Sequence, residues 1–411
     1  MIIELINTGS ELMLGFVLNT HQQWLCRQMA DRGYLVTRQV AISDSGPAIK
    51  QAVAESIERA ELVITTGGLG PTSDDITRDL IADLLGKKLF EDPAIVAQIE
   101  KFFTARKRPM PMSTRVQAMV PEGATVLMNA HGTAPGLAMP TPKGWLIMLP
   151  GPPRELRPMF TNQVVPFLEK VFPKPPAFIC KVLKTTGVGE SAVEERIAPM
   201  LTALVGQGLE IGYCARVGEV DVRLTATGDN AIAIVGEAEK IVRREMGSFV
   251  FGVEGDPLDG VVVRMLTESG RTLALAESCT GGFIANRITN IPGASAVFLA
   301  GFVTYSNDAK QKFLGVKPET LEAHGAVSEA TAREMAEGAR TRTGADFSLS
   351  ITGIAGPGGG TPEKPVGTVF IALARNNGPT LVKNFRNAYD RETFKFTTSQ
   401  QALDLVRREL I

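Results

Sequence analysis

What most constrains this chain is a recurring unit: a short apolar run, a loop of glycine and small hydroxyl residues, then helical spacing. Residues 62–66 lead into Gly67, Gly68, Leu69 and Gly70, and residues 273–276 lead into Glu277, Ser278, Cys279, Thr280, Gly281 and Gly282. A buried strand followed by a helix returns the chain to a parallel neighbour, so repeated units of this kind build open α/β sheets, which bind ligands beyond the carboxyl ends of their strands. At 411 residues the chain exceeds one hydrophobic core, so two or three domains are expected. A proline-rich joint at Pro173, Lys174, Pro175, Pro176, and a second near residues 252–255 before Asp256 and Pro257, punctuate it. The reading is an α/β multidomain protein divided as 1–172, 173–253 and 254–411.

Charge excludes several function classes. There are 43 basic and 44 acidic side chains, for a formal charge of −1, and no run of one sign. Neither a nucleic-acid stripe nor an anionic membrane partner is expected. No stretch reaches the roughly 20 apolar residues of a membrane span, and the amino terminus opens on a strand-like run, residues 2–6, without a basic leader. A cytoplasmic protein is the expectation. The four cysteines, Cys26, Cys180, Cys214 and Cys279, lie far apart and read as reduced thiols, not a disulfide framework or zinc ribbon. Of the three histidines, only His324 shares the last third of the chain with Ser278, so a nucleophilic Ser278 would look for a base other than imidazole.

In the first third, residues 2–6, 34–40 and 62–66 read as strands, with helical spacing at 19–32 and 47–59. Two loops leave their carboxyl ends: Gly9, Ser10, Glu11, Leu12, and the glycine-rich run from Gly67 to Asp74, Asp75 and Thr77. The second lacks the Lys-Ser/Thr of a P-loop and misses the three-glycine dinucleotide fingerprint. Two readings stay open: a tight turn with acids favoured by a helix dipole, or a phosphate or metal-phosphate site. Loops at residues 129–136 and 149–153 continue the pattern. The middle third, with strands at 178–185 and 220–226 and helices at 192–204 and 231–245, reads as a small α+β linking module, and its residues 186–191 as a turn into a helix.

Taken alone, the Ser278 stretch fits an ordinary capped turn better than a catalytic one. Its neighbours shift that balance. A strand at 297–304 delivers Tyr305 and Lys310, one at 347–351 delivers Thr352, Gly353 and Gly356, and Asp390-Arg391 opens the last helix. A lysine or tyrosine can activate a serine only if its pKa is lowered, by burial or by a neighbouring cation. Cys279 competes for the nucleophile role but reads as a buried, inert thiol.

Residues 276–282, 305–310, 325–328 and 352–360 resemble the nicotinamide-nucleotide amidase domain of the CinA family of competence/damage-inducible proteins. Residues 9–12, 66–77, 132–136 and 149–153 resemble that family's molybdopterin-binding-like domain, and the middle module its small linking domain, so the likeness covers essentially the full length. The resemblance implies an amino-terminal molybdopterin-binding-like α/β domain, a small α+β linking domain and a carboxy-terminal α/β amidase domain. It implies hydrolysis of nicotinamide mononucleotide to nicotinate mononucleotide and ammonia, with Ser278 as nucleophile and Tyr305 and Lys310 as the groups that take its proton and later protonate the leaving ammonia. Glu277, Thr280, Gly281, Gly282, Thr352, Gly353, Gly356 and Arg391 would contact substrate. No cofactor is implied for this reaction. For the amino-terminal domain it implies ADP-ribose pyrophosphatase activity, with Glu11, Gly67, Gly68, Asp74, Asp75 and Thr77 in the ligand loops and Asp74 and Asp75 holding a divalent cation or K⁺. A homodimer acting on small nucleotides is also implied. Tyr389 and Lys395 stand where the family has glycine and arginine, and Ser10 where it often has aspartate; lysine cannot reproduce a bidentate arginine contact. Two alternatives follow from the same residues: turnover by the amino-terminal domain alone, or nucleotide or pterin binding without catalysis.

Overall fold

All six residues of β1 (Ile3–Thr8) are buried, as expected of a strand covered by helices on both faces. The computed structural model describes residues 1–376 and 378–411. It forms two compact units, Met1–Phe178 and Ile179–Ile411.

In the first unit β1 pairs in parallel with β2 (Arg38–Ile42) on one side and β3 (Leu62–Thr66) on the other. The short strands β4 (Leu89–Glu91) and β5 (Met119–Pro121) form a separate antiparallel pair, while β6 (Thr125–Leu127), β7 (Gly136–Pro140) and β8 (Trp145–Leu149) complete the main sheet in the order β2-β1-β3-β8-β7-β6. The sheet is therefore mixed, because β7 runs antiparallel to β8 and β6 antiparallel to β7. Since β2 and β3 flank β1, the connections diverge at its carboxyl end, the crevice where such sheets take ligands. The second strand starts at Arg38, four residues later than the reading at Tyr34. Tyr34 is instead in the core at 4% exposure, its amide donating to Met29 O (3.0 Å) as the helix Thr20–Ala30 closes.

In the second unit the middle segment is a four-stranded sheet of order β10-β11-β9-β12, from β9 (Phe178–Thr186), β10 (Glu210–Arg216), β11 (Glu219–Thr227) and β12 (Val250–Val253). The last segment holds β13 (Leu273–Glu277), β14 (Phe298–Val303), β15 (Phe347–Gly353), β16 (Thr368–Arg375) and β17 (Leu381–Arg386), ordered β14-β13-β15-β16-β17. The first three are mutually parallel, and β16 and β17 antiparallel to their neighbours. The chain passes from β13 to β14 on one side and then to β15 on the other. Its switch point is the carboxyl end of β13, where Ser278 stands. Leu273, Leu275, Leu349 and Ile351 pack with the helices Leu258–Ser269 and Arg391–Glu409 in one apolar core. Among the described residues no helix is long and apolar enough to cross a membrane.

Candidate active site

Ser278 is pinned at the end of β13: its amide donates to Ile351 O (2.9 Å), while Thr304 N donates to Glu277 O (2.9 Å). The next residues must turn sharply into the helix Phe283–Thr289. Gly281 and Gly282 make that turn with φ of 60° and 88°, a left-handed conformation that side chains with a Cβ enter at a penalty. Beneath the turn the Glu277 carboxylate, 1% exposed, accepts from Gly282 N (3.0 Å), Ile284 N (3.1 Å) and Ala285 N (2.8 Å).

That arrangement alters two expectations. Glu277, expected among the substrate contacts, is closed off from solvent and holds the loop from below. The Gly282 amide, expected among the substrate contacts, is already satisfied, as is Gly281 N by Ser278 O (3.1 Å). Orphan amides of a helix start are the natural anion donors, and here the Glu277 carboxylate occupies the anion's place.

Lys310 lies on the helix Asn307–Leu314, started by Ser306, whose hydroxyl accepts from Ala309 N (3.1 Å). Its side chain turns inward until the residue is 1% exposed. The Nζ sits 3.0 Å from Ser278 Oγ, 2.8 Å from Thr304 O and 3.3 Å from Tyr305 O. Among the described residues no carboxylate pairs with it. Burial therefore lowers its pKa from the ordinary 10.5, because the charged form loses water and gains no counter-ion. In the neutral form two N–H bonds point at the two carbonyls, and the lone pair is left for the Ser278 hydroxyl. Cys279, 6% exposed, is the opposite case: burial pushes its thiol up to about 12, which removes the thiolate a nucleophile needs.

Tyr305 is placed differently from the sequence expectation. It is 63% exposed, its hydroxyl accepts from Arg391 Nη2 (3.2 Å), and among the described residues no hydrogen bond joins it to Ser278. Arg391 Nη1 also donates to Gly356 O (3.0 Å), so one guanidinium ties together the loops after β14 and β15 and the start of the last helix. Thr352 is buried, its hydroxyl donating to Ala326 O (2.7 Å). Gly353 lies so close to β16 that a Cβ would sit 2.8 Å from Thr368 O. Thr280 is fully buried and its hydroxyl has no hydrogen-bond partner among the described residues.

In the first unit the loops after β1, β3 and β8 gather on one sheet edge. Gly67 N donates to Leu149 O (3.0 Å), and a Cβ on Gly151 would lie 3.7 Å from Gly67 Cα. Gly68 is required: a Cβ there would sit 1.9 Å from Thr77 Oγ1. Ser10 N donates to Asp44 Oδ2 (2.9 Å), and Glu11 is exposed beside it. Asp75 accepts from the Thr72 amide (3.0 Å) and hydroxyl, and Asp74 is exposed. Among the described residues no three His, Cys, Asp or Glu side chains converge on a common point.

Comparison with known proteins finds three family models along the chain. The family model described as "Probable molybdopterin binding domain" matches residues 4–170, that of the damage-inducible protein CinA KH domain residues 180–252, and that of the CinA C-terminal domain residues 255–410. A CinA-like protein of Akkermansia muciniphila is 45% identical, aligned over 98% of this chain and 95% of its own length. The chain belongs to the CinA family. A CinA-like protein of Kosmotoga olearia is 44% identical over 99% of this chain and 98% of its own. Among solved structures, the competence/damage inducible protein CihA from Agrobacterium tumefaciens is 44% identical, covering 37% of this chain and 96% of that one, with a TM-score of 0.36.

Within the CinA C-terminal segment, Arg287 escaped the sequence reading. It is 9% exposed and donates to Asp259 Oδ2 (2.9 Å), Ser399 Oγ (2.6 Å) and Gln400 Oε1 (2.6 Å), and Gln400 Nε2 reaches Glu219 Oε1 (2.6 Å) in the KH segment. Its signal was faint: one arginine on the apolar face of a short helix, between Ile284 and Ile288. The family departure Lys395 places Nζ 5.5 Å from the centroid of the Phe283 ring, and Tyr389 is 56% exposed.

Proposed function

We propose that the Ile179–Ile411 unit is an amidohydrolase that converts nicotinamide mononucleotide to nicotinate mononucleotide and ammonia. The observation that carries this reading is the buried Lys310 amine, 3.0 Å from Ser278 Oγ and without a counter-ion among the described residues. The neutral amine takes the serine proton as Oγ attacks the carboxamide carbon. The tetrahedral intermediate collapses with cleavage of the C–N bond, the nitrogen leaving as ammonia with the proton held on Lys310. Water then attacks the Ser278 ester, giving its proton to Lys310, and the carboxylate departs as Oγ is reprotonated. A positioned base of this kind contributes about 10²–10⁴-fold. Tyr305, exposed and held by Arg391, suits contact with the substrate and its leaving nitrogen more than abstraction of the serine proton. The test is ammonia release by Ser278→Ala: the proposal expects none above background from a normally folded protein, and undiminished release removes Ser278 from the chemistry.

A second activity, cleavage of ADP-ribose by the first unit, is favoured by the clustering of its loops at the carboxyl ends of β1, β3 and β8. The residues do not fit a metal centre: Asp74 and Asp75 find no third ligand among the described residues, and Asp75 is already engaged by Thr72. We derive no step through a metal. Incubating the full chain with ADP-ribose, with and without chelator, tests it; no AMP in either arm ends the reading.

A further inference from the structure

Within the second unit, a cavity of about 950 Å³ opens between the KH segment and the helices Phe283–Thr289 and Arg391–Glu409. It falls within the size range of small-molecule sites, which favour such junctions. Neither Ser278, Tyr305, Lys310 nor the loop after β15 lines it.

Its charges are largely neutralised internally. Arg287 is paired with Asp259 (2.9 Å), Lys184 with Glu219 (2.9 Å) and Arg216 with Asp221 (2.9 Å). What remains available is specific. Phe283 and Phe396 meet edge to face at 6.5 Å, offering aromatic surface. Asn286 and Asn290, four residues apart and thus on one side of their helix, are exposed, and their amides have no hydrogen-bond partner among the described residues. Lys395 has no ion-pair partner among the described residues and lies over the Phe283 ring at 5.5 Å. Glu392, an acid of the lining with no ion-pair partner among the described residues, opposes a highly charged anion.

We propose that this cavity is a second ligand site, for a 6-aminopurine nucleotide carrying a single phosphate. The base stacks on the phenylalanines, since any heteroaromatic has a π-face to offer. An asparagine amide matches the adenine N6/N7 edge, accepting from the amino group and donating to the ring nitrogen. Lys395 takes the phosphate, and Glu392 disfavours di- and triphosphates. The assignment stands apart from the amidase reading, since it uses none of that machinery.

The test is hydrogen exchange on the full chain with adenosine monophosphate, with and without saturating nicotinamide mononucleotide. Protection is expected in residues 216–219, 283–290 and 392–396, unchanged in Ser278→Ala, weaker with the triphosphate and absent with inorganic phosphate. The double variant Asn286→Ala/Asn290→Ala, at two exposed positions, should weaken binding about tenfold or more while its melting curve stays unchanged. The proposal is overturned if these segments gain no protection, if protection is confined to residues 1–172, if the double variant binds as well as the parent, or if nicotinamide mononucleotide abolishes the effect. The last outcome would make the cavity part of the substrate's own pocket.

Discussion

Replacing Glu277 by glutamine keeps the shape of the side chain and removes its charge. The carboxylate accepts three backbone N–H groups, from Gly282, Ile284 and Ala285, at 2.8 to 3.1 Å. A hydrogen bond to a charged acceptor contributes about 1.5–3 kcal/mol against about 0.5–1.5 for a neutral one. The amide oxygen can retain one or two of the bonds in weakened form, while the new NH₂ group faces a backbone donor and leaves it orphaned, at about 1–3 kcal/mol. The sum is about 2–4 kcal/mol of local stability. Alanine orphans all three donors in a buried place and threatens the segment outright, which makes glutamine the informative change. Several domains are present, so a single unfolding midpoint is a poor gauge, and amide exchange at residues 282–285 reads the loop directly. A loss of about 2–4 kcal/mol is a fall in protection of about 30- to 700-fold. Protection within about threefold of the parent would mean that the carboxylate is not what holds the Ser278 loop, and the structural account of that loop would have to be abandoned.

Two further predictions concern the buried groups around Ser278. With its thiol pushed up to about 12, Cys279 should resist alkylation at neutral pH in the native protein, while the exposed Cys180 and Cys214 react; peptide mapping that finds Cys279 labelled as fast as the other two contradicts its burial. Folding lowers the Lys310 pKa below 10.5, so between the folded value and 10.5 the unfolded chain binds more protons than the native one, and stability rises with pH across that window. Lys310→Met should flatten this rise in denaturant titrations at a series of pH values; an unaltered slope would show that Lys310 is not buried without a counter-ion.

The strands that end in glycine loops were legible because an uninterrupted apolar run is what burial on both faces requires: β3 was read as residues 62–66 and β15 was found from residue 347. Half-exposed strands were legible only where apolar residues still dominated, as in β14, read at 297–304. β10 carries Glu210, Gly212 and Arg216 and lies at a sheet edge, and β17 carries Lys383 and Asn384 at another, so neither shows the apolar signal. Ser278 and Lys310 could be suspected from their positions after strands, but their approach depends on the inward turn of one lysine, which no spacing encodes. The Glu277 cap was hidden for a related reason. A glutamate at the end of an apolar strand looks like the first residue of a functional loop, and only the backbone path reveals which amides it meets.

The central claim is that a neutral Lys310 activates Ser278, and the pH dependence of kcat/KM for ammonia release from nicotinamide mononucleotide by the intact protein tests it most directly. Deprotonation of Lys310 switches the base on, so the rate should climb tenfold per pH unit and level off at an apparent pKa below 10.5, with that limb absent from whatever activity Lys310→Met retains. A profile of the same shape in the parent and in Lys310→Met would contradict the claim.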